Sequence, residues 1–211
     1  MKKGLKSKWI PVGLIWMMGI ISCLMYSFVQ EKFNPLYYIQ ALGVPFVLLG
    51  IMLVEKYKVI QLPLILYYAI AVHLMLAVDF GTVLGFYDNY YFWDLLAHGY
   101  FGFLCSFLVL MLLFNFKKEA FSKIFGLVLI FFVVLGAAAI WEIFEFVMDG
   151  FLHGDAQRVQ ESIVLGKTPV YDTMMDIIIT AVGVGMFYFS ILFDHVLGNR
   201  LYNYLERECI L

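Results

Sequence analysis

Six apolar stretches dominate this chain and decide what it can become. They run over 9–29, 36–54, 62–84, 91–114, 121–148 and 172–195. Each is close to the roughly 20 residues that a helix needs to cross a bilayer. Of the 211 residues, 64% are hydrophobic and only 14% charged, with a mean hydropathy of +0.90. Soluble domains carry about 25% charged residues, and a soluble fold of this length has no interior large enough for so much apolar surface. The chain therefore reads as all-α: a single transmembrane domain over 1–211, a polytopic bundle of about six helices, with the lipid bilayer as its first partner. No nucleic-acid partner is expected. Cys23, Cys105 and Cys209 are scattered, with neither the CxxC spacing of a zinc site nor a disulfide framework.

Basic residues set the expected orientation. With the N-terminus in the cytoplasm, Lys2, Lys3, Lys6, Lys8, Lys56, Lys58, Lys117, Lys118, Lys123, Arg200 and Arg207 all fall inside, eleven of the 14. Only Lys32, Arg158 and Lys167 fall outside, so both termini are expected in the cytoplasm. The basic start followed by an apolar run also describes a signal sequence. Ile20-Ile21-Ser22-Cys23 resembles a bacterial lipoprotein cleavage box, but the apolar run continues to Val29, which favours an uncleaved span.

The acids then gather on the opposite side. Glu31, Asp79, Asp88, Asp94, Glu142, Glu145, Asp149, Asp155, Glu161, Asp172 and Asp176, eleven of 16, lie towards the outer face, with His73, His98 and His153. Asp94 and His98 are i,i+4, about 40° apart around the fourth helix. Glu142, Glu145 and Asp149 follow i, i+3, i+7 and make one acidic face on the fifth. Asp172 and Asp176 repeat the i,i+4 spacing on the sixth. An ionised acid deep in a spanning helix costs about 2.5–3.5 kcal/mol, so such a set needs a metal ion, protons or loop cations to offset it.

The site should be shallow. His98 lies about 6 Å below Asp94, Asp176 one turn below Asp172, and Glu142 six residues before the expected end of its span. Gly99, Gly102, Gly136 and Gly183 lie close by, where small residues let helices approach. The longest polar stretch, 149–171, is either a lid over this end or a solvated connection.

The order Asp94-x3-His98-x3-Gly102, Trp141-Glu142-x2-Glu145-Phe146 and Asp172-Thr173-x2-Asp176 with Gly183 resembles the YjdF-like family of small bacterial inner-membrane proteins, over about residues 90–187. More distantly it is similar to the VanZ-like proteins, with departures at Leu95, where they usually carry Lys, and at Asp176, where they carry Asn. The resemblance implies the bacterial cytoplasmic membrane and an envelope role, the VanZ-like group being associated with resistance to glycopeptide antibiotics. It implies no reaction.

Three functional readings follow. In the leading one, the chain is an enzyme-like protein acting at the outer leaflet on lipid headgroups, lipid-linked or envelope substrates, with a divalent metal ion as cofactor. Carboxylate and imidazole suit Mg²⁺, Mn²⁺, Fe²⁺ or Zn²⁺. Glu142, Glu145, Asp172, Asp176 and His98 are the candidate ligands. His98, Asp94 and Glu142 are the candidate catalytic groups. Asp149, Gln157, Arg158 and Gln160 are the candidate substrate or lid residues. The second reading is a non-catalytic scaffold or sensor, in which the polar groups hold helices together. The third is a cation or proton transporter; His73 and Asp79 could begin a path, but no broken helix or inverted repeat continues it.

Overall fold

The computed structural model describes residues 2–29, 34–57, 60–115, 122–152 and 154–209. Lys32, Glu31, Lys58, Lys117, Lys118, Glu119 and His153 lie outside the described residues, and the side chains of Lys2, Lys3, Lys6, Lys123 and Cys209 are likewise not described. The described chain is helical throughout: α1 (Lys2–Val29), α2 (Pro35–Gly43), α3 (Pro45–Lys56), α4 (Leu64–Leu74), a π-helical segment (Met75–Val83), α5 (Phe86–Asn89), α6 (Phe92–Asn115), α7 (Lys123–Leu152), α8 (Val159–Val164), α9 (Tyr171–Val196) and α10 (Arg200–Cys209). Six stretches are long and apolar enough to cross a membrane: Ser7–Phe28, Pro35–Lys56, Leu64–Val83, Phe92–Asn115, Ile124–Leu152 and Tyr171–Val196. These match the six expected spans to within a few residues.

The distribution of side chains is that of a chain dissolved in lipid. Phe132, Phe146 and Phe189, all within spans, are 66%, 67% and 69% exposed, whereas Asp79, Glu142 and Asp176 are 0%, 4% and 1% exposed. Water would reverse that order.

Local chemistry starts and stops the helices. The Asn34 side chain accepts the Leu36 N–H, and Pro35 occupies the first helical turn of α2, where its missing N–H costs nothing. Gly85, at φ +70°, supplies the left-handed residue that separates the π segment from α5.

Two expected spans are not single α-helices. The second is interrupted at Val44, where Pro45 begins α3. The third changes from α4 to π geometry at Met75. Uninterrupted spans were the expectation, so this is a correction. Its cause in the second span is local: an interior proline cannot donate to the carbonyl four residues back.

By contacts the chain divides into two compact units. One holds Met1–Ala97, Phe114–Phe116 and Arg200–Leu211; the other holds His98–Leu113 and Lys117–Asn199. In the first unit, α1 packs on α2, α3, α4 and the π segment. Its end near Lys8 is closed by a buried polar network. Lys8 Nζ donates to Glu55 Oε1 and Oε2, both at 2.8 Å, and to the Leu62 carbonyl at 2.7 Å. Glu55 also accepts the Leu62 N–H at 2.7 Å and the Tyr67 hydroxyl at 2.8 Å. All three ammonium protons and both carboxylate oxygens are thereby used. In the second unit α7 packs on α9, and α8 on the start of α9.

Candidate functional site

The site in the second unit begins with a backbone contact. α6 presents Gly99 and Gly102, and α9 presents Thr180 and Gly183. A Cβ on Gly183 would run into the Gly99 carbonyl oxygen and come within 2.8 Å of the Phe103 nitrogen. A Cβ on Gly102 would run into the Thr180 carbonyl. The two helices can touch here only because these positions lack side chains. Thr180 Oγ1 lies 3.4 Å from the His98 carbonyl oxygen, a long hydrogen bond across the same contact. His98 matches Asp176 and Gly102 matches Thr180, so α6 and α9 run in the same direction.

That register sets His98 beside Asp176. Nε2 of His98 stands 3.9 Å from Oδ2 of Asp176, with the two side chains 10% and 2% exposed. Asp94 stands one turn before His98 on the same helix, α6. A separation of 3.9 Å exceeds the 2.7–3.2 Å of a hydrogen bond. Neighbouring ligands of a tetrahedral ion, each about 2.0–2.1 Å from it, stand about 3.4 Å apart, so the pair would have to close by about half an ångström to hold one ion.

The other candidates take different places. Glu142 is 4% exposed within α7. Ten residues separate it from the end of α7 at Leu152, rather than six, because the helix runs beyond the expected span. Glu145 is placed with an aromatic neighbour instead: it accepts the indole N–H of Trp141 at 2.8 Å on an exposed face. Asp172 occupies the first turn of α9, half-buried.

The described residues of the polar stretch 149–171 are held by hydrogen bonds. Asp149 accepts the N–H groups of Ala156 and Gln157, at 2.7 and 3.1 Å. Asp155 accepts those of Val159 and Gln160, at 2.8 and 3.1 Å, satisfying donors at the start of α8. Gln157 Nε2 lies 3.3 Å from the Glu142 carbonyl oxygen and 3.1 Å from Thr173 Oγ1. This ties the stretch to α7 and α9 at once and sets Glu142 level with the beginning of α9. Arg158, at φ +48°, pairs with Glu161 at 2.8 Å, and the Gln160 side chain is exposed. Thr180, and any role for Thr173 beyond its place in the quoted motif, were not singled out from the sequence. The spacing of Thr173 and Thr180 from Asp176, three residues before and four after, puts all three on one helical face and is the available signal.

A model of the family described as "Predicted membrane protein (DUF2238)" matches residues 12–196. The chain belongs to this family. No curated protein and no solved structure matches it. The match covers all the candidate residues named above, and the family description goes no further than the membrane.

Proposed function

We propose that this member of the DUF2238 family binds a divalent cation at His98 and Asp176, with Asp94 completing the set, and uses it on phosphorylated headgroups or lipid-linked envelope substrates at the outer leaflet of the bacterial cytoplasmic membrane. The observation that carries the reading is the 3.9 Å separation of a buried imidazole nitrogen and a buried carboxylate oxygen. One nitrogen with carboxylate oxygens suits Mn²⁺, Fe²⁺ or Zn²⁺. Such an ion polarises a phosphoryl oxygen or acidifies a bound water.

Depth supports the substrate class. His98 is the seventh residue of α6 and Asp176 the sixth of α9, about 8–9 Å from the helix starts. A group at that depth meets headgroups, whereas transporters usually hold their substrates near the midplane. The basic-residue bias supports the outward orientation, and the resemblance to YjdF-like and VanZ-like proteins supports the bacterial envelope. Glu142 remains the candidate proton carrier, with Gln157 fixing the backbone on which it stands.

The test is elemental analysis of the full chain purified in mild detergent, before and after chelation. The expected result is one divalent ion per chain in the wild type, a loss in His98→Ala and Asp176→Asn, and retention in Glu145→Gln. Absence of a stoichiometric ion in the wild type, after supplying each metal in turn, removes the reading. The glycine-mediated contact of α6 and α9 favours a second one, in which the polar residues only hold helices in register. That reading gains if the His98 and Asp176 variants lose stability while no metal is ever bound.

A further inference from the structure

The first unit contains a second polar centre, at the end of its three spans opposite Lys8 and Glu55. Asp79 lies in the π segment, fully buried. Its Oδ1 accepts the Ser22 hydroxyl of α1 at 2.8 Å. Its Oδ2 is buried and has no hydrogen-bond partner among the described residues. Ser22 Oγ is also 3.1 Å from the Gly19 carbonyl oxygen. Beside them comes α2: a Cβ built on Gly19 would stand 2.6 Å from the Ala41 carbonyl oxygen and 3.8 Å from Asp79 Oδ1.

The Ala41 carbonyl has a particular history. In an unbroken helix it would accept the N–H of residue 45. Residue 45 is proline, which has none, while the neighbouring Val44 N–H still reaches the Gln40 carbonyl at 3.0 Å. Two backbone irregularities, the proline interruption and the π segment, thus meet at one buried carboxylate. Irregular backbone at membrane depth persists where it lines a polar site, and π segments are frequent at functional sites. Ser22, Ala41 and Asp79 lie six, six and four residues inside the ends of their spans, about 6–9 Å deep.

The geometry points to a sodium-binding site formed by the Asp79 carboxylate, the Ser22 hydroxyl and the carbonyl oxygens of Ala41 and Gly19. One carboxylate among neutral oxygens offers a single negative charge, which matches a monovalent ion. Oδ2 receives no hydrogen bond from any described residue, so its charge is left for a bound cation or a proton to offset. A cation draws on several oxygens together, as where interrupted helices turn carbonyls towards Na⁺ in transporters.

Among the described residues, α2, α4 and α5, which pack on the π segment, carry no lysine or arginine. The titratable groups of the packed elements are Cys23 and Tyr26 on α1, Tyr37 and Tyr38 on α2, Tyr67, Tyr68 and His73 on α4, and Tyr87 and Asp88 on α5. The lysines of α1 lie within its first two turns, at the opposite end, where Lys8 is held by Glu55. This site shares no residue with the His98 centre and stands or falls separately.

Two measurements on the full chain in detergent test it. Thermal unfolding is followed in NaCl and in choline chloride at equal ionic strength. NaCl should raise the midpoint saturably in the wild type, less in Ser22→Ala, and no more than choline in Asp79→Asn. Labelling of the wild type by a hydrophobic carbodiimide, which attacks protonated buried carboxyls, is then read at the Asp79 peptide by mass spectrometry. Sodium should suppress that labelling severalfold at fixed pH and choline should not. This second arm needs no variant to fold. Equal stabilisation by choline, a sodium effect that survives in Asp79→Asn, or labelling that ignores sodium would each overturn the proposal.

Discussion

Glu55 and Asp176 are both acids buried within spanning segments, and their surroundings differ. Glu55 has Lys8 at 2.8 Å from both oxygens, with a tyrosine hydroxyl and a backbone N–H filling its remaining positions. Asp176 has an imidazole at 3.9 Å. The first contact is a completed ion pair, with Lys8 also 4.8 Å above the Tyr67 ring. The second is a longer contact between two buried side chains. Burial alone therefore does not single out a candidate site acid in this chain.

The sharpest way to break the comparison is at the completed pair. Lys8→Met should strand Glu55 and cost about 3–5 kcal/mol of stability, whereas Lys8→Met with Glu55→Leu should recover most of it. Unfolding in detergent measures both, and metal content should stay unchanged in the double variant. Gly183→Val comes next. Its side chain meets the α6 backbone, so overpacking of about 1–3 kcal/mol is expected, together with loss of bound metal although every ligand is intact. Gly19→Ala tests the same principle in the first unit, where the added methyl confronts the Ala41 carbonyl at 2.6 Å; it should abolish the sodium-dependent midpoint shift. The smallest effect belongs to Gln157→Ala. Removing its two hydrogen bonds should cost about 0.5–1.5 kcal/mol each and raise proteolytic cleavage between residues 154 and 170, with metal content preserved.

The six spans were legible because each is a continuous apolar run of spanning length. The interruption at Pro45 is also written in the sequence, as a proline inside an apolar run. The π segment has no such mark: Met75–Val83 reads as ordinary apolar helix. Within single helices the candidate residues were legible too, since Asp94 and His98 are i,i+4 on α6. The approach of His98 to Asp176 depends on where two helices cross, which Gly99, Gly102 and Gly183 hint at without fixing the register. Glu145 shows the limit of helical spacing. It shares a stripe with Glu142, yet Trp141, one turn away, engages its carboxylate. Lys8 and Glu55, 47 residues apart, are paired only by the fold.

The most direct test of the central claim is pulsed electron paramagnetic resonance on the full chain loaded with Mn²⁺. The account predicts hyperfine coupling to one imidazole nitrogen, absent in His98→Gln and unchanged in Glu145→Gln. Bound Mn²⁺ with no nitrogen coupling, or coupling that survives in His98→Gln, would contradict it.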